Sequence, residues 1–159
     1  KVDTYEEVEA DRLAMGQAML VVVLASLATG IAFFQYGQQD VVGVVLGVIF
    51  ALVGWTLLAW VTYIIGTKIF PTEDTTANWG ELARTLGFAQ APGLLRVLGV
   101  VPGIGPIIFL VASLWVLVCS VVAIRQALDY RSTWRAVGVA IASYIPTIIL
   151  MSLISGPFS

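Results

Sequence analysis

Four long apolar stretches without any acidic or basic residue alternate with short polar segments along the chain. They cover residues 13–39, 41–67, 97–124 and 136–159. A helix needs about 20 apolar residues to cross a hydrocarbon core of about 30 Å. The continuous apolar pattern also differs from the alternation of a barrel strand. Each stretch is therefore predicted to form one membrane-spanning helix.

A fifth segment, residues 79–101, is harder to assign because it contains Arg84, Gln90, Pro92 and Arg96. Hydropathy alone makes it interfacial or re-entrant. If it crosses the membrane, seven of the eight basic residues fall on one side, and only Arg96 lies near the other. Basic residues concentrate on the cytoplasmic side of membrane proteins. We therefore predict an all-α integral membrane protein, a bundle of five transmembrane helices with the N-terminus in the cytoplasm and the C-terminus outside.

The chain is predicted to form one membrane domain, residues 13–159, behind an acidic cytoplasmic segment, residues 1–12. Because the chain begins at Lys1 without a methionine, we expect residues upstream to be missing. The predicted spans are residues 13–36, 41–66, 79–101, 104–124 and 134–156.

Composition narrows the possible chemistry. The chain is 59% apolar and 11% charged, and it contains no histidine. Imidazole-dependent catalysis and haem ligation through histidine are excluded. The single cysteine, Cys119, lies in an apolar run and is expected to pack as a small hydrophobe. No basic footprint for nucleic acid is present. We expect no enzyme activity, no cofactor and no metal site.

The third predicted helix has a recognisable start and a recognisable break. Asn78 followed by Glu81 places an N-cap acceptor and a first-turn carboxylate where the free amides need them. Pro92 lacks an amide donor and crowds the carbonyl of Phe88, so a kink is expected. The turn after this helix has too few polar atoms for an exposed loop, and we expect a buried hairpin. It is formed by Pro102, Gly103, Gly105 and Pro106.

Four small residues form a stripe on the second predicted helix. Gly43, Gly47, Ala51 and Gly54 follow one another at spacings of four, four and three. Small side chains on one face let another backbone approach closely. We expect this stripe to be buried, either against another helix of the same bundle, which we favour, or against another subunit.

Arginines at two places are candidates for binding lipid or a partner. Arg96 lies close enough to Val101 to reach the outer headgroups, or else it holds a lipid phosphate or a partner carboxylate. Arg125, Arg131 and Arg135 lie between the last two spans. They are either only the positive-inside signal or a docking site for anionic lipid or an acidic partner segment.

Aromatic residues lie near both predicted membrane boundaries, where they are expected to anchor the helices at the interface. Phe33, Phe34 and Tyr36 lie near the outer boundary. Those near the cytoplasmic boundary are Trp55, Trp60, Tyr63, Phe70, Trp79 and Trp134.

The second half of the chain resembles a known family. Leu94-Leu95-Arg96-Val97-Leu98, the Pro-Gly hairpin and Ala123-Ile124-Arg125-Gln126-Ala127-Leu128-Asp129 are similar to the bacterial branch of the Yip-domain family. The resemblance covers residues 45–155 and implies five membrane helices. Eukaryotic members are thought to interact with prenylated Rab-type GTPases. This chain lacks their Asp-Leu-Tyr-Gly-Pro motif, so the resemblance carries no Rab-binding residue over to it.

Two functions from different classes remain open. The favoured one is a non-catalytic membrane organiser, scaffold or accessory subunit of the cell membrane, acting through helix packing and lipid contact. Its partners are expected to be membrane lipids and other membrane-protein subunits. The alternative is a small transporter or channel component, suggested by the kinked third helix with Gln90 and Arg96. No acidic residue lies in the apolar runs, which counts against ion coupling.

Overall fold

The computed structural model describes residues 14–35, 37 and 40–156, and every regular element among them is helical. The predicted acidic segment, residues 1–12, lies outside the described residues. The five-helix, all-α prediction is confirmed. In chain order the elements are α1 (Ala14–Gln35), α2 (Val41–Ile64) with a π-helical turn (Ile65–Ile69), α3 (Trp79–Phe88), a 3₁₀ segment (Ala91–Val100), α4 (Gly105–Ala127) and α5 (Thr133–Ser155).

Four of these helices, α1, α2, α4 and α5, are long and apolar enough to cross a membrane. They also turn large apolar side chains outward. Ile107 on α4 is 63% exposed and Leu153 on α5 is 71% exposed. In water such a surface would be unstable, whereas in a bilayer it faces lipid. The chain is therefore a multi-pass membrane protein.

The third segment changes helix type at its break. Residues Asn78 and Glu81 form the expected capping box at its start. The α-helix ends at Phe88, and the chain continues as a 3₁₀ helix with Pro92 in its first turn. The amide of Gly93 donates to the carbonyl of Gln90 at 2.8 Å. The expected kink at Pro92 thus takes the form of a change from α to 3₁₀ winding.

The third segment runs parallel to α1 and packs closely along it. A Cβ added to any of three glycines of this segment would lie 2.8–3.3 Å from the Cβ of the facing alanine. The facing pairs are Gly87 with Ala18, Gly93 with Ala25, and Gly99 with Ala32. Gly93 and Gly99 are six residues apart, two turns of the 3₁₀ helix, and Gly87 lies six residues earlier at the end of the α-helix. The alanines repeat every seven residues, about two turns of an α-helix. Matching registers keep small residues in contact along both elements.

This parallel packing gives the third segment the same depth as a spanning helix. From Ala18 to Ala32, α1 rises about 21 Å at 1.5 Å per residue. The segment from Gly87 to Gly99 accompanies it in fewer residues because a 3₁₀ helix rises about 2.0 Å per residue. It does not belong to the four long apolar helices, because its α-helical part is short and its sequence contains Arg84, Gln90 and Arg96.

The bundle has two different ends. We call one the Arg-rich end; it contains residues 65–79 and 124–135 together with the start of α1. We call the other the hairpin end; it contains residues 100–105, the end of α1 and the start of α2. The buried core clusters toward the Arg-rich end, around Trp55, Leu82 and Ile124. The Trp55 indole is buried and donates to the carbonyl of Ala83 at 2.8 Å. The expectation that Trp55 anchors the interface is therefore wrong.

Candidate functional site

The turn between α4 and α5 is organised by Arg125, a side chain at the end of α4. Asp129 adopts a φ of 53°, and the carbonyl of Tyr130 accepts from Nε of Arg125 at 3.2 Å. The same guanidinium donates to the Thr133 hydroxyl at 3.0 Å and to the carbonyl of Arg131 at 3.4 Å. The guanidinium of Arg125, at the end of α4, therefore donates its hydrogen bonds to the turn that follows this helix.

Tyr130 locks this turn to the end of α2. Its ring is buried, and its hydroxyl lies 3.0 Å from the carbonyl oxygen of Gly66 and 2.9 Å from that of Phe70. The π-helical turn of α2 exposes these two carbonyls to the tyrosine. Burial raises the pKa of Tyr130 above its ordinary value of 10.0, while the Arg135 cation, 5.8 Å from the ring centroid, opposes the rise.

The loop from α2 to α3 is tied to the same turn. The Thr75 hydroxyl donates to the carbonyl of Leu128 at 3.2 Å. Arg131 forms a salt bridge with Asp74 at 2.9 Å. Two loops that are more than 50 residues apart in sequence therefore lie at the same end of the bundle, held by backbone and side-chain bonds.

Basic and aromatic side chains point outward from this locked end. The Arg131 side chain is 88% exposed despite its salt bridge, and Trp134 is 84% exposed. Arg135 is exposed as well and donates to the carbonyl of Pro71 at 3.2 Å. We call Arg131, Trp134 and Arg135 the basic face. Of the three arginines predicted here, two belong to this face and Arg125 does not.

Arg96 lies far from the basic face, inside the bundle. It is half-buried, donates to the Ser113 hydroxyl at 3.2 Å and lies 5.1 Å from the centroid of the Phe109 ring. Its buried Nε has no hydrogen-bond partner among the described residues. Phe109 and Ser113 follow Gly105 by four and eight residues, so the guanidinium lies about 6 to 12 Å inward from the hairpin end. Whether this side chain reaches the headgroups or holds a phosphate or carboxylate inside the bundle stays a prediction.

A cavity of about 640 Å³ opens beside Arg96, between α1, α2, α5 and the third segment. Gln90, Arg96 and Tyr144 also line a second cavity of about 360 Å³ against α4. These three side chains therefore separate the two spaces. The polar residues of the larger cavity are Ser26, Thr29, Gln90, Arg96, Tyr144, Thr147 and Ser152.

The small-residue stripe of α2 faces the larger cavity. Gly43, Gly47, Ala51 and Gly54 are all half-buried within this chain, so the stripe is not fully packed inside the bundle, and its burial against another subunit stays a prediction. The last three line the cavity, and a Cβ added at Gly47 would have nothing within 4 Å. Gly43 has a separate role, because its amide donates to the Asp40 carboxylate that caps α2 at 2.7 Å. The close small-residue packing occurs on α1 instead.

The hairpin between the 3₁₀ segment and α4 forms where the sequence predicts it. Gly103 adopts a φ of 87°, which favours glycine, and Pro106 lies in the first turn of α4. Gly105 is buried, but Pro102, Gly103 and Ile104 are exposed. The expectation of a buried hairpin is therefore wrong for this chain, in which only Gly105 of the turn is buried.

The polar side chains of α5 were missed by the sequence analysis. Ser143 and Thr147 are buried and four residues apart, and each bonds to a carbonyl one turn earlier, at 2.7 Å. The Tyr144 hydroxyl donates to the Ser120 hydroxyl at 3.1 Å. The signal was available, because three polar residues on one helical face beside Pro146 interrupt an otherwise apolar run.

The cavity suits an anion better than a cation. Among the described residues, no group of three His, Cys, Asp or Glu side chains could hold a metal ion. Arg96 is a donor of hydrogen bonds and carries no acceptor, whereas Gln90, Tyr144 and the hydroxyls can donate as well as accept. The arrangement can therefore hold an oxyanion.

The comparisons with known proteins agree with this architecture. No curated protein and no solved structure shows significant similarity to the chain. The model of the Yip1 domain matches residues 2–155, well beyond residues 45–155 where the resemblance was noticed. The match is to the family as a whole, and the bacterial branch stays a prediction. Five helices, an extensive apolar surface and this match show together that the chain belongs to the Yip1 domain family.

Proposed function

We propose that this chain is a non-catalytic organiser of the cell membrane or an accessory subunit of a larger membrane complex. The helix bundle is embedded in lipid, and the Arg-rich end lies in the cytoplasm, with the C-terminus outside. The work is done by contacts to lipids and to other membrane subunits rather than by covalent chemistry.

The observation that carries this proposal is the basic face on a locked end. Arg125 and Tyr130 fix the turn, so the backbone that carries Arg131, Trp134 and Arg135 is already ordered, and only side-chain freedom is lost on binding. Near an anionic leaflet each arginine contributes on the order of 1 kcal/mol. Tryptophan prefers the headgroup level of a bilayer. A preorganised basic and aromatic surface suits headgroups or an acidic segment of a partner.

Fewer arginines are available for docking than the sequence predicts. Arg125 donates to three acceptors of its own turn, so replacing it would disturb the fold and not only docking. We therefore assign docking to Arg131 and Arg135, with Trp134 between them. Arg131 retains most of its exposure beside Asp74.

Recovery of partners from native membranes tests the proposal. After solubilisation in mild detergent, we expect the full chain to migrate with other subunits or with retained anionic lipid. The double variant Arg131→Gln, Arg135→Gln should reduce that recovery several-fold. Ile104→Ala, at the exposed hairpin end, is the matched control and should leave recovery unchanged. Migration of the wild-type chain as a lipid-free monomer would contradict the proposal.

Sidedness is tested separately. Tags after Gln38 and at Ser159 should be accessible from outside, and tags near Asp74 and Asp129 from the cytoplasm. Lys68, Arg125, Arg131 and Arg135 lie at the Arg-rich end, and Arg84 lies in α3 between one and two turns after its start there, which supports this orientation. Accessibility of Asp74 from outside would invert the orientation and remove the cytoplasmic basic face.

The three polar side chains that separate the two cavities, which we call the polar partition, give the transporter or channel alternative one specific support. Gln90, Arg96 and Tyr144 lie between two cavities within the membrane-embedded part of the bundle. A solute flux in reconstituted vesicles that disappears in Arg96→Ala would favour this second function. We rank it below the first because the described acidic residues lie at the ends of the helices or in loops, away from this partition.

A further inference from the structure

We propose that the larger cavity binds an anionic amphiphile with a small headgroup. Its oxyanion, a phosphate monoester or a carboxylate, bonds to Arg96, and its acyl chain lies between α1, α2 and α5. The proposal rests on the interior of the bundle and is independent of the basic face. It does not need a protein partner or a particular orientation.

The first argument concerns charge. The Arg96 guanidinium has one hydrogen-bond acceptor, Ser113, and an aromatic ring beside it among the described residues, and its Nε is buried without a partner. A charged side chain in a bilayer is costly unless it is paired. The described acidic residues all lie outside the four apolar stretches, so none of them is placed to neutralise it. Those acids are Asp40, Glu73, Asp74, Glu81 and Asp129. An anion from outside the chain would supply the missing charge.

The second argument concerns depth, which selects the headgroup. The guanidinium lies about 6 to 12 Å inward from the hairpin end. A lipid whose phosphate reaches that depth must carry its whole headgroup below the interface. A choline or ethanolamine group would then leave its own cation buried beside an arginine. A bare phosphate or carboxylate has no such group, and bidentate bonding to guanidinium favours it.

The third argument concerns the apolar part of the ligand. Below Arg96 the cavity is lined by Val44, Phe50, Ile148 and Met151, and the glycines of the α2 stripe leave its wall open. A volume of about 640 Å³ is in the range of sites for small organic ligands. Gln90 and Tyr144 add donors at the same end as the arginine. The cavity therefore offers one cation with donors beside it, and apolar side chains and hydroxyl groups along the rest of its wall, which suits an anionic headgroup with an acyl chain.

Trp55 provides a direct measurement, because its indole lines the cavity. The full chain is reconstituted in phosphatidylcholine nanodiscs and titrated with phosphatidic acid or oleic acid brominated in the acyl chain. Bromine quenches tryptophan fluorescence only at close range. Subtracting the Trp55→Phe variant isolates the cavity signal from the other tryptophans. We expect saturable quenching of Trp55 by one or both ligands, and their comparison identifies the headgroup.

Variants connect the signal to the site. Arg96→Gln should raise the half-saturating concentration roughly tenfold or more, and Arg96→Lys should raise it less. Arg131→Gln removes a cation at the basic face and should change it less than twofold. Gly47→Leu fills the cavity and should weaken quenching strongly. Gly138→Leu is its matched control, because Gly138 is also a helical glycine with open space but lies outside the cavity.

Three results would overturn the proposal. Quenching of Trp55 by brominated phosphatidylcholine as strong as that by the anionic ligands would make the cavity an unselective crevice. Equal quenching in wild type and Arg96→Gln would remove the role of the guanidinium. Displacement of the brominated ligand by inorganic phosphate at comparable concentration would show a site for a free anion without need of the acyl chain.

Discussion

Two half-buried arginines of this bundle have opposite surroundings. Arg125 lies at a helix end, where the last carbonyls of α4 and the following turn have no helical partner, and it bonds to three acceptors there. Arg96 lies beside the middle of helices whose carbonyls are already bonded, and it has one side-chain acceptor, Ser113. The same residue type therefore fixes the fold in one place and leaves donors available for a ligand in the other.

The packing is also closer at the Arg-rich end, around Arg125, than beside Arg96. At the Arg-rich end, Leu82, Ile124 and Leu128 are fully buried, and Gly66 leaves no room for a side chain beside Leu128. Toward the hairpin end the α2 stripe faces a cavity, and Gly47 has open space around it. Gly66 thus serves close contact at the Arg-rich end, whereas Gly47 leaves accessible volume beside the cavity.

The comparison predicts its largest effect at Arg125. Arg125→Met leaves the carbonyls of Tyr130 and Arg131 without their charged donor, and we expect the free energy of unfolding to fall by about 2 to 3 kcal/mol. Arg131→Met, which removes only an exposed salt bridge, should change it by less than about 0.5 kcal/mol. Reversible unfolding in mixed micelles measures both. Similar losses in the two variants would contradict the distinction between a fold-fixing arginine and a surface arginine.

The glycines provide the next test. Gly66→Ala places a methyl group against Leu128 in the closest packed part of the core, and we expect a loss of about 2 kcal/mol of unfolding free energy. Gly47→Ala adds the same methyl group in open space. It should be neutral or stabilise the helix by up to about 1 kcal/mol. A loss in Gly47→Ala would mean that the cavity closes in solution.

The features that follow from local sequence could be predicted. The spans and the capping box of Asn78 and Glu81 depend on neighbours in the chain, and the structure contains both. The five-helix prediction also held, although charge placement rather than hydropathy supported the third segment. Its 3₁₀ winding was not foreseen, but the six-residue spacing of Gly87, Gly93 and Gly99 is a period that an α-helix would not place on one face.

The candidate site depended on contacts that local patterns do not contain. The pattern on α2 correctly identified a stripe of small residues, but nothing in it distinguished a packed interface from a cavity wall. Likewise, Arg125 and Arg131 look equivalent in sequence. Only the left-handed turn at Asp129, which brings carbonyls back toward the end of α4, separates them. Long-range geometry decided which arginines remain available.

The Tyr130 hydroxyl is expected to make the stability of the Arg-rich end depend on pH. Tyr130→Phe removes the hydroxyl from the carbonyls of Gly66 and Phe70, and we expect a loss of about 1 kcal/mol. Because the pKa of Tyr130 is raised in the fold, the folded chain holds this proton more tightly than the unfolded chain. Its stabilisation should be complete below about pH 10 and be lost as pH rises through the raised pKa.

The pH dependence of unfolding tests this step. The wild-type chain should lose more stability above pH 10 than Tyr130→Phe, whose remaining tyrosines serve as the internal control. Absorbance of tyrosinate should show one late-titrating group fewer in the variant than in the wild type. Equal alkaline destabilisation of the two chains would mean that the Tyr130 hydroxyl is not held by α2.

The smallest change in the free energy of unfolding is expected at Arg96. In a zwitterionic detergent without anionic amphiphile, Arg96→Met removes a charge that the bundle only partly satisfies, and replaces it with an apolar side chain. Buried ionic groups replaced in this way are often neutral or stabilising, so we expect a change within about 0.5 kcal/mol, or a gain. Adding oleate or phosphatidic acid should then stabilise the wild type but not Arg96→Met. A loss near that of Arg125→Met without any ligand would show that the bundle itself satisfies Arg96, and the two arginines would no longer differ.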